Sequence, residues 1–278
     1  MRSLIFLHHF ILVVSVLFVA APGYAENLLE VTKRGNGSGV ELIAQNPTLA
    51  DITVVMEVTG SNIKTSPQVP LTVVVPAKSK DFVIVKVIPK SVGKQWRYKY
   101  DYQAGVGNAN AKHDDTFVYR LPYSTGKSYK VSQSFGGNFS HQKGVHYCVD
   151  FSMPEGAPIV AARGGKVVGV KFDSNVGGND TNYKKLANYV YIQHADKTLG
   201  VYLHLMPNGV TVQPGQVVRT GQLIGKAGNT GYSDGPHLHF GVHSVFRDDE
   251  LGRSFPIQFD TTSGVVKKLT QGKSYEAK

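Results

Sequence analysis

The chain has 278 residues and a formal net charge of +10. Hydrophobic residues make up 41% and charged residues 18%, which excludes global disorder and allows a packed core. The single cysteine, Cys148, excludes an internal disulfide. The basic balance favours a polyanionic partner or surface, but the cationic residues are spread out, and a solvated basic surface accounts for them equally well.

The first 25 residues are predicted to be a secretory signal. A short basic start at Arg2 precedes an apolar run over 4–21, and Gly23 and Ala25 supply small side chains before the expected cleavage point. A retained signal anchor is the alternative, although polar residues weaken the run. We therefore expect export to the periplasm or cell envelope of a bacterium. We expect no stable membrane insertion after cleavage and no nucleic-acid partner.

Residues 26–120 are predicted to form a small antiparallel β-sandwich that serves as an accessory domain. Short runs rich in β-branched and aromatic residues, such as 52–58 and 82–87, alternate with turn signals. His113 is expected in a loop. Positioning or partner contact is the favoured role of this domain; in the alternative, a latency role, His113 or an asparagine would cover a functional site elsewhere in the chain.

The rest of the chain also has the composition of a β protein, so the predicted fold class is all-β. Residues 121–140 are expected to be a connection, and 141–255 a second strand-rich domain with frequent glycine turns. Residues 256–278 are predicted to be a polar C-terminal tail, and its part from Gly264 to Lys278 is expected to fray.

The second domain contains histidines and an aspartate in a pattern that suits a metal centre. On a strand, His146 and Asp150 would share a face, as would His237 and His239. A catalytic zinc needs three protein ligands and an open position. His146, Asp150 and one histidine of the His237/His239 pair would supply the ligands. The other histidine, with His204, could polarise a water and stabilise an oxyanion.

The segment from 146 to about 242 resembles the lysostaphin-type (LytM-like) zinc endopeptidases. That family carries a His-x-x-x-Asp element, a Tyr-x-His-Leu element and a His-x-His-Phe element, in that order. This chain has the same elements as His146-Tyr147-Cys148-Val149-Asp150, Tyr202-Leu203-His204-Leu205 and His237-Leu238-His239-Phe240. The match extends over roughly 100 residues in one order, which chance explains poorly.

The resemblance implies a site and an activity. It implies a groove built on a β-sheet, with one Zn²⁺ per chain held by His146, Asp150 and His239. It also implies that His204 and His237 are catalytic residues outside the ligand set. The implied substrate is peptidoglycan, cut in its stem or bridge peptides.

Two residues depart from the family pattern. Cys148 stands where the family usually has glycine, and by strand alternation its thiol would face the metal. A bystander is favoured over a fourth ligand, which would close the open position, and over an oxidation-sensitive switch. His141, in a glycine-bearing loop, is the alternative to His146 as a ligand; the spacing to Asp150 favours His146.

The predicted function is a zinc-dependent endopeptidase that hydrolyses peptide bonds in bacterial peptidoglycan, with zinc-activated water as the nucleophile. The main alternative is a catalytically inactive relative that binds cell wall or activates another wall hydrolase. A zinc carboxypeptidase or amidase acting on the same polymer is a further alternative, because groove shape decides the reaction class. A structural β protein with a storage metal site is disfavoured by the two additional histidines.

Overall fold

The computed structural model describes residues 28–35, 37–247 and 249–278. The predicted signal over 1–25 lies outside the described residues. The described chain consists of β-strands with two short 3₁₀ helices, which confirms the all-β prediction. Among the described residues, no helix has the length and apolar character needed to cross a membrane.

The N-terminal half forms the predicted sandwich from two sheets. Its strands are β1 (Glu30–Gly35), β2 (Val40–Gln45), β3 (Ile52–Ser61), β4 (Ile63–Ser66), β5 (Leu71–Val75), β6 (Phe82–Pro89) and β7 (Arg97–Gly107). One sheet has the order β1-β2-β6-β4, and the other pairs β3 with β5 and β7. Alternation along β2 and β3 turns Leu42 and Val54 into the core between the sheets.

The second half contains the main sheet and several small ones. Its elements are β8 (Val118–Arg120), β9 (Ser128–Gln133), the 3₁₀ helix η1 (Lys143–Val145), β10 (Val149–Ser152), β11 (Pro158–Val160), β12 (Gly165–Lys171), β13 (Gly177–Gly178), the 3₁₀ helix η2 (Thr181–Leu186), β14 (Tyr189–Gln193), β15 (Leu199–Leu203), β16 (Val217–Val218), β17 (Leu223–Lys226), β18 (Gly231–Tyr232), β19 (His237–Phe246), β20 (Arg253–Ser254), β21 (Gln258–Thr261), β22 (Gly264–Val266) and β23 (Ser274–Glu276). The main path is β16-β12-β14-β15-β19-β10-β9-β23.

The central strands of this sheet are buried on both faces, which explains why they are apolar almost throughout. In β14, Val190 and Ile192 point into one core while Tyr191 points into the other. The first core lies between the sheet and the small strands, with Tyr119, Leu121, Ile159, Ile224 and Phe259. The second core lies between the sheet and the N-terminal sandwich.

The sandwich is continuous with the main sheet. At the end of β19, Phe246 pairs with Val106 of β7, so that β7 joins the two halves by backbone hydrogen bonds. The main sheet contributes Leu199, Val201 and Phe246 to the contact between the two halves. Their side chains pack into the sandwich core. The sandwich therefore covers part of one face of the main sheet.

The C-terminal segment is ordered, and the prediction that it frays is wrong. β23 pairs with β9, and β21 pairs with β8 and β22. Leu269 and Ala277 are buried in the first core. The polar residues of this segment face solvent while backbone pairing fixes the chain, so polarity alone did not indicate disorder. Residues 121–140 are likewise more than a connection, because they contain β9.

Candidate metal centre and active site

Three buried side chains converge at one end of the main sheet: His141, Asp150 and His239. Asp150 Oδ1 lies 2.9 Å from His239 Nδ1 and 3.1 Å from His141 Nε2. The two imidazole nitrogens are 3.3 Å apart. The group thus offers one carboxylate oxygen and two ring nitrogens around a single point.

Strand register explains why Asp150 and His239 lie side by side. Asp150 on β10 and His239 on β19 are directly opposed in an antiparallel pair, so their side chains stand side by side on one face. On the other side of β19, His239 is opposed by Leu203, the last residue of β15. His204 follows immediately, so the end of β15 carries it to the same region.

The third member comes from a loop. His141 lies between β9 and η1 and is fully buried. Its Nδ1 donates a hydrogen bond to the Ser134 carbonyl oxygen at 2.9 Å, which orients the ring so that Nε2 faces Asp150 Oδ1. A backbone contact thus prepares this imidazole to act as a ligand.

The protonation of the group follows from burial and mutual contact. Burial alone would raise the pKa of the Asp150 carboxyl, but the hydrogen bonds from His141 and His239 lower that pKa well below its usual range. Burial lowers the pKa of His239, and the nearby carboxylate only partly offsets this. For His141, contact with Asp150 outweighs the effect of burial and raises the pKa. The carboxylate is therefore ionised at neutral pH.

The described side chains fit a zinc ion. Three ligands and an open position are typical of catalytic zinc, with ligand atoms about 2.0–2.2 Å from the ion. Tetrahedral ligands at that radius lie roughly 3.3 Å from one another. The separations of 2.9 to 3.3 Å among the three ligand atoms approach this value. Imidazole and carboxylate donors also suit zinc chemically.

The structure does not place His146 in this group, which corrects the prediction. The expected strand over 146–150 begins only at Val149; His146 is the exposed C-cap residue of η1. Its ring instead packs edge-on against Tyr147, with centroids 4.6 Å apart. His146 is therefore not on the same strand as Asp150. The shared strand face that favoured His146 over His141 does not exist in the structure.

Cys148 also lies away from the three ligand atoms. Its sulfur is 3.5 Å from His243 Nε2 and is fully buried against the sandwich core. Gly241 lies beside it: a side-chain carbon there would come within 2.4 Å of the sulfur. Burial raises the pKa of the thiol well above its usual value, so Cys148 is a packed thiol at neutral pH.

The two predicted catalytic histidines lie beside the cluster. The His204 and His237 rings are 4.5 Å apart between centroids, and the His204 and His239 rings are 6.0 Å apart. His204 Nδ1 donates to the Thr230 carbonyl oxygen at 2.7 Å, and His237 Nδ1 donates to the Gly235 carbonyl oxygen at 2.8 Å. Each imidazole therefore keeps Nε2 free of these backbone contacts.

His204 sits in an unusual position for its type. Its φ of 64° is in the left-handed region, which non-glycine residues enter infrequently and often at functional sites. Thr230 and Asn188 stabilise this conformation. The Thr230 hydroxyl donates to the Leu205 carbonyl oxygen at 2.8 Å and accepts from the Asn188 backbone at 2.9 Å. Burial, followed by the neighbouring His237 and His239, lowers the pKa of His204 well below its usual value.

Sequence reasoning missed several residues that hold the site in place. Gln133 and Ser134 have no motif that marks them and lie in the segment predicted to be a connection, and Thr230, in a glycine-marked run, was given no role. The loop position of His113 was predicted correctly, but its ring stacks on Phe255, 4.9 Å away, and contacts Tyr119 rather than the cluster.

Comparisons with known proteins relate part of the chain to a peptidase family. The Peptidase family M23 model matches residues 144–250. The chain is 34% identical over 122 residues to the peptidoglycan DD-endopeptidase ShyA of Vibrio cholerae, covering 42% of this chain and 26% of the relative. It is 39% identical over 97 residues to lysostaphin of Staphylococcus staphylolyticus, covering 35% of this chain and 18% of the relative. The matches thus span about a quarter or less of these two relatives.

Among solved structures, the lysostaphin of Staphylococcus simulans is 32% identical, with 43% of this chain and 45% of that chain covered. The TM-score is 0.34, at which the superposition alone does not define a common fold. The family match includes Asp150, His204, His237 and His239, while His141 lies three residues before it. Residues 144–250 of this chain form a Peptidase family M23 domain of the lysostaphin type.

Proposed function

We propose that this protein is a zinc-dependent endopeptidase that hydrolyses peptide bonds in bacterial peptidoglycan. The observation that carries the proposal is the convergence of His141 Nε2, Asp150 Oδ1 and His239 Nδ1 beside two further histidines. A storage or structural site has no need of the flanking imidazoles, whereas hydrolysis needs groups that accept and return protons.

The proposed zinc ligands are His141, Asp150 and His239. His141 replaces His146 in this role because its Nε2 already lies 3.1 Å from the shared carboxylate oxygen, whereas His146 is exposed. When bound, zinc supplies the Lewis acidity that makes water a nucleophile near neutral pH.

Zinc binding by two single variants tests the ligand assignment. His141→Ala should weaken zinc affinity by about 100-fold or more, since even outer-shell partners of a ligand contribute 10–100-fold. His146→Ala, the matched control, should retain one zinc per chain with nearly unchanged affinity, measured by chelator competition. If His146→Ala loses the zinc and His141→Ala keeps it, His146 is the ligand.

His204 and His237 are the proposed proton carriers. Because each Nδ1–H is donated to a backbone carbonyl, each Nε2 presents a lone pair. The lowered pKa of His204 keeps that imidazole neutral, so its Nε2 lone pair is free to accept a hydrogen bond, and then a proton, from the attacking water. A protonated Nε2 can then donate to the departing amine. Acid–base residues of this kind typically contribute 10²–10⁴-fold to the rate.

Peptidoglycan is the proposed substrate and the bacterial envelope the proposed location. The relatives named above include a peptidoglycan DD-endopeptidase and lysostaphin, and the first 25 residues have the pattern of a secretory signal. An exported enzyme with this signal would meet cross-linked stem peptides directly. A D,D cross-link is the favoured bond.

Digestion of purified peptidoglycan tests the activity. Residues 26–278 with zinc should convert cross-linked fragments to monomers, and mass spectrometry of the products identifies the bond. A chelator should abolish the conversion, and His237→Ala should slow it by about 10²–10⁴-fold. Release of single terminal residues or of whole peptides from glycan would instead indicate a carboxypeptidase or an amidase. No release by zinc-loaded protein would favour an inactive relative that binds the wall or activates another hydrolase.

A further inference from the structure

The side chain of Gln133 occupies a central position behind the metal centre. It lies at the end of β9 and is only 6% exposed. Its Nε2 donates to Asp150 Oδ2 at 2.8 Å and to the Ser140 hydroxyl at 2.8 Å. Its Oε1 accepts from the backbone N–H groups of Phe139 and Ser140, both at 3.0 Å.

These partners determine which way the amide faces. The backbone N–H groups of Phe139 and Ser140 can only donate, so the atom facing them must be the amide oxygen. The nitrogen then necessarily faces Asp150. As an ionised carboxylate accepts and does not donate, the orientation satisfies both ends of the amide.

The amide connects the two sources of ligands. Asp150 is fixed by strand pairing, whereas His141 belongs to a loop and is nine positions earlier in the chain. The two Oε1 contacts hold the backbone immediately before His141. The Nε2 contact holds the Asp150 oxygen that does not face the histidines, leaving Oδ1 for them.

The loop is shaped to admit this side chain. Gly137 approaches Gln133 so closely that a side-chain carbon at 137 would lie 2.1 Å from Gln133 Cγ. The Gly137 N–H donates to the Ser134 carbonyl oxygen at 3.0 Å, which closes the loop around the amide. The same oxygen accepts from His141 Nδ1. Gln133 is therefore packed inside the turn that presents His141.

We propose that Gln133 is a positioning residue for the metal centre, joining the His141 loop to Asp150 so that both ligands are aligned before the metal binds. This inference rests on the proposed zinc site. A loop-borne ligand needs such a connection because, unlike a ligand on a strand, it gains no alignment from sheet pairing. Partners that orient ligands typically contribute 10–100-fold to metal affinity.

Gln133→Leu removes all four hydrogen bonds at similar side-chain volume, and its zinc affinity should be about 10–100-fold weaker than that of the wild type. The matched control is Gln142→Leu. Gln142 lies in the same loop and is exposed, and its side-chain amide donates to the Gly137 carbonyl oxygen and does not contact Asp150, so the zinc affinity of this variant should be unchanged. Affinity is measured on residues 26–278 by chelator competition, with thermal unfolding of the metal-free proteins as the check on folding.

Two further readouts separate alignment from general stability. The visible spectrum of the Co²⁺-loaded protein should change in Gln133→Leu and not in Gln142→Leu, because it reports ligand geometry. Amide exchange at Phe139 and Ser140 should be faster in metal-free Gln133→Leu. If the leucine variant fails to fold, Gln133→Asn, which keeps an amide one methylene shorter, should show a smaller change of the same sign.

The outcomes distinguish the two proposals. Wild-type zinc affinity and an unchanged Co²⁺ spectrum in a folded Gln133 variant overturn the positioning role and leave the zinc enzyme intact. A wild-type protein that binds no zinc overturns both.

Discussion

His194 and His243 are buried imidazoles whose neutral forms are part of the folded core. Burial lowers the pKa of His194 to about 4 and that of His243 to about 3. The residues around them provide little compensation: His194 Nε2 and His243 Nδ1 have no hydrogen-bond partner among the described residues. Neither histidine belongs to the metal group. Protonation of either one in the folded protein is unfavourable and therefore lowers the free energy of unfolding.

The first prediction is loss of stability in mild acid. As pH falls below 6.5 the unfolded chain gains protons that the folded chain accepts only near pH 4 and pH 3, so the free energy of unfolding decreases over that window. The His194 shift corresponds to up to about 3 kcal/mol. Urea unfolding of the metal-free protein from pH 7.5 to 4.5 measures the slope. His194→Gln should flatten it, and a wild-type slope of zero would contradict the prediction.

Residue spacing identified most of the candidate site. Asp150 and His239 were predicted together and are opposed in register, and His204 and His237 lie next to them. His146 was predicted in place of His141 because a four-residue spacing suits a strand. β10 begins only at Val149, so the four-residue spacing does not lie on a strand. A turn held by Gln133 instead brings His141 to the cluster.

At the scale of elements, β23 closes the edge of the main sheet beside β9. Tyr275 packs on the first core, and its backbone carbonyl accepts a hydrogen bond from the Tyr123 hydroxyl at 2.7 Å. Ala277 is buried. β9 also carries Gln133, whose side chain donates a hydrogen bond to the Asp150 carboxylate. By pairing with β9, the C-terminal strand therefore supports the strand that positions this carboxylate.

The second prediction concerns deletion of residues 273–278. Loss of the buried part of Tyr275 and of Ala277 removes about 2 kcal/mol of apolar burial, which corresponds to a fall in Tm of about 4–8 °C. It also leaves β9 as an exposed edge, so aggregation on heating should increase. Lys273→Ala, at an exposed position whose backbone contacts are kept, should leave Tm nearly unchanged. An unchanged Tm in the deletion would contradict the role assigned to β23.

At the scale of the whole molecule, one face of the main sheet carries part of the candidate site and also packs against the sandwich. Asp150, His239 and Leu203 form a cross-strand row at the site, and Val201 with Gly241 forms the next row on the same face. The sandwich core includes Val201 of the second row and Leu203 at one end of the first, while Asp150 and His239 of the first row belong to the candidate site. The sandwich therefore supports the sheet that carries the candidate site.

The third prediction is that removing the sandwich prevents folding of the rest. A fragment of residues 108–278 would expose Leu199, Val201 and Phe246 and would lose the β7 pairing to β19. It should be insoluble or lack a cooperative thermal transition, measured by circular dichroism, while residues 26–278 under the same conditions should be folded. A soluble fragment that unfolds cooperatively and binds zinc would show instead that the sandwich is dispensable for the fold.

The sequence by itself determined the β class, the two-part organisation and most of the candidate chemical groups, because strand alternation, turn residues and motif order are local properties. Tertiary structure decided which histidine completes the cluster, that the polar C-terminal segment is paired, and that Cys148 faces the core beside His243. These outcomes depend on contacts between segments distant in the chain. Burial, register and hydrogen bonding across those contacts override local preference.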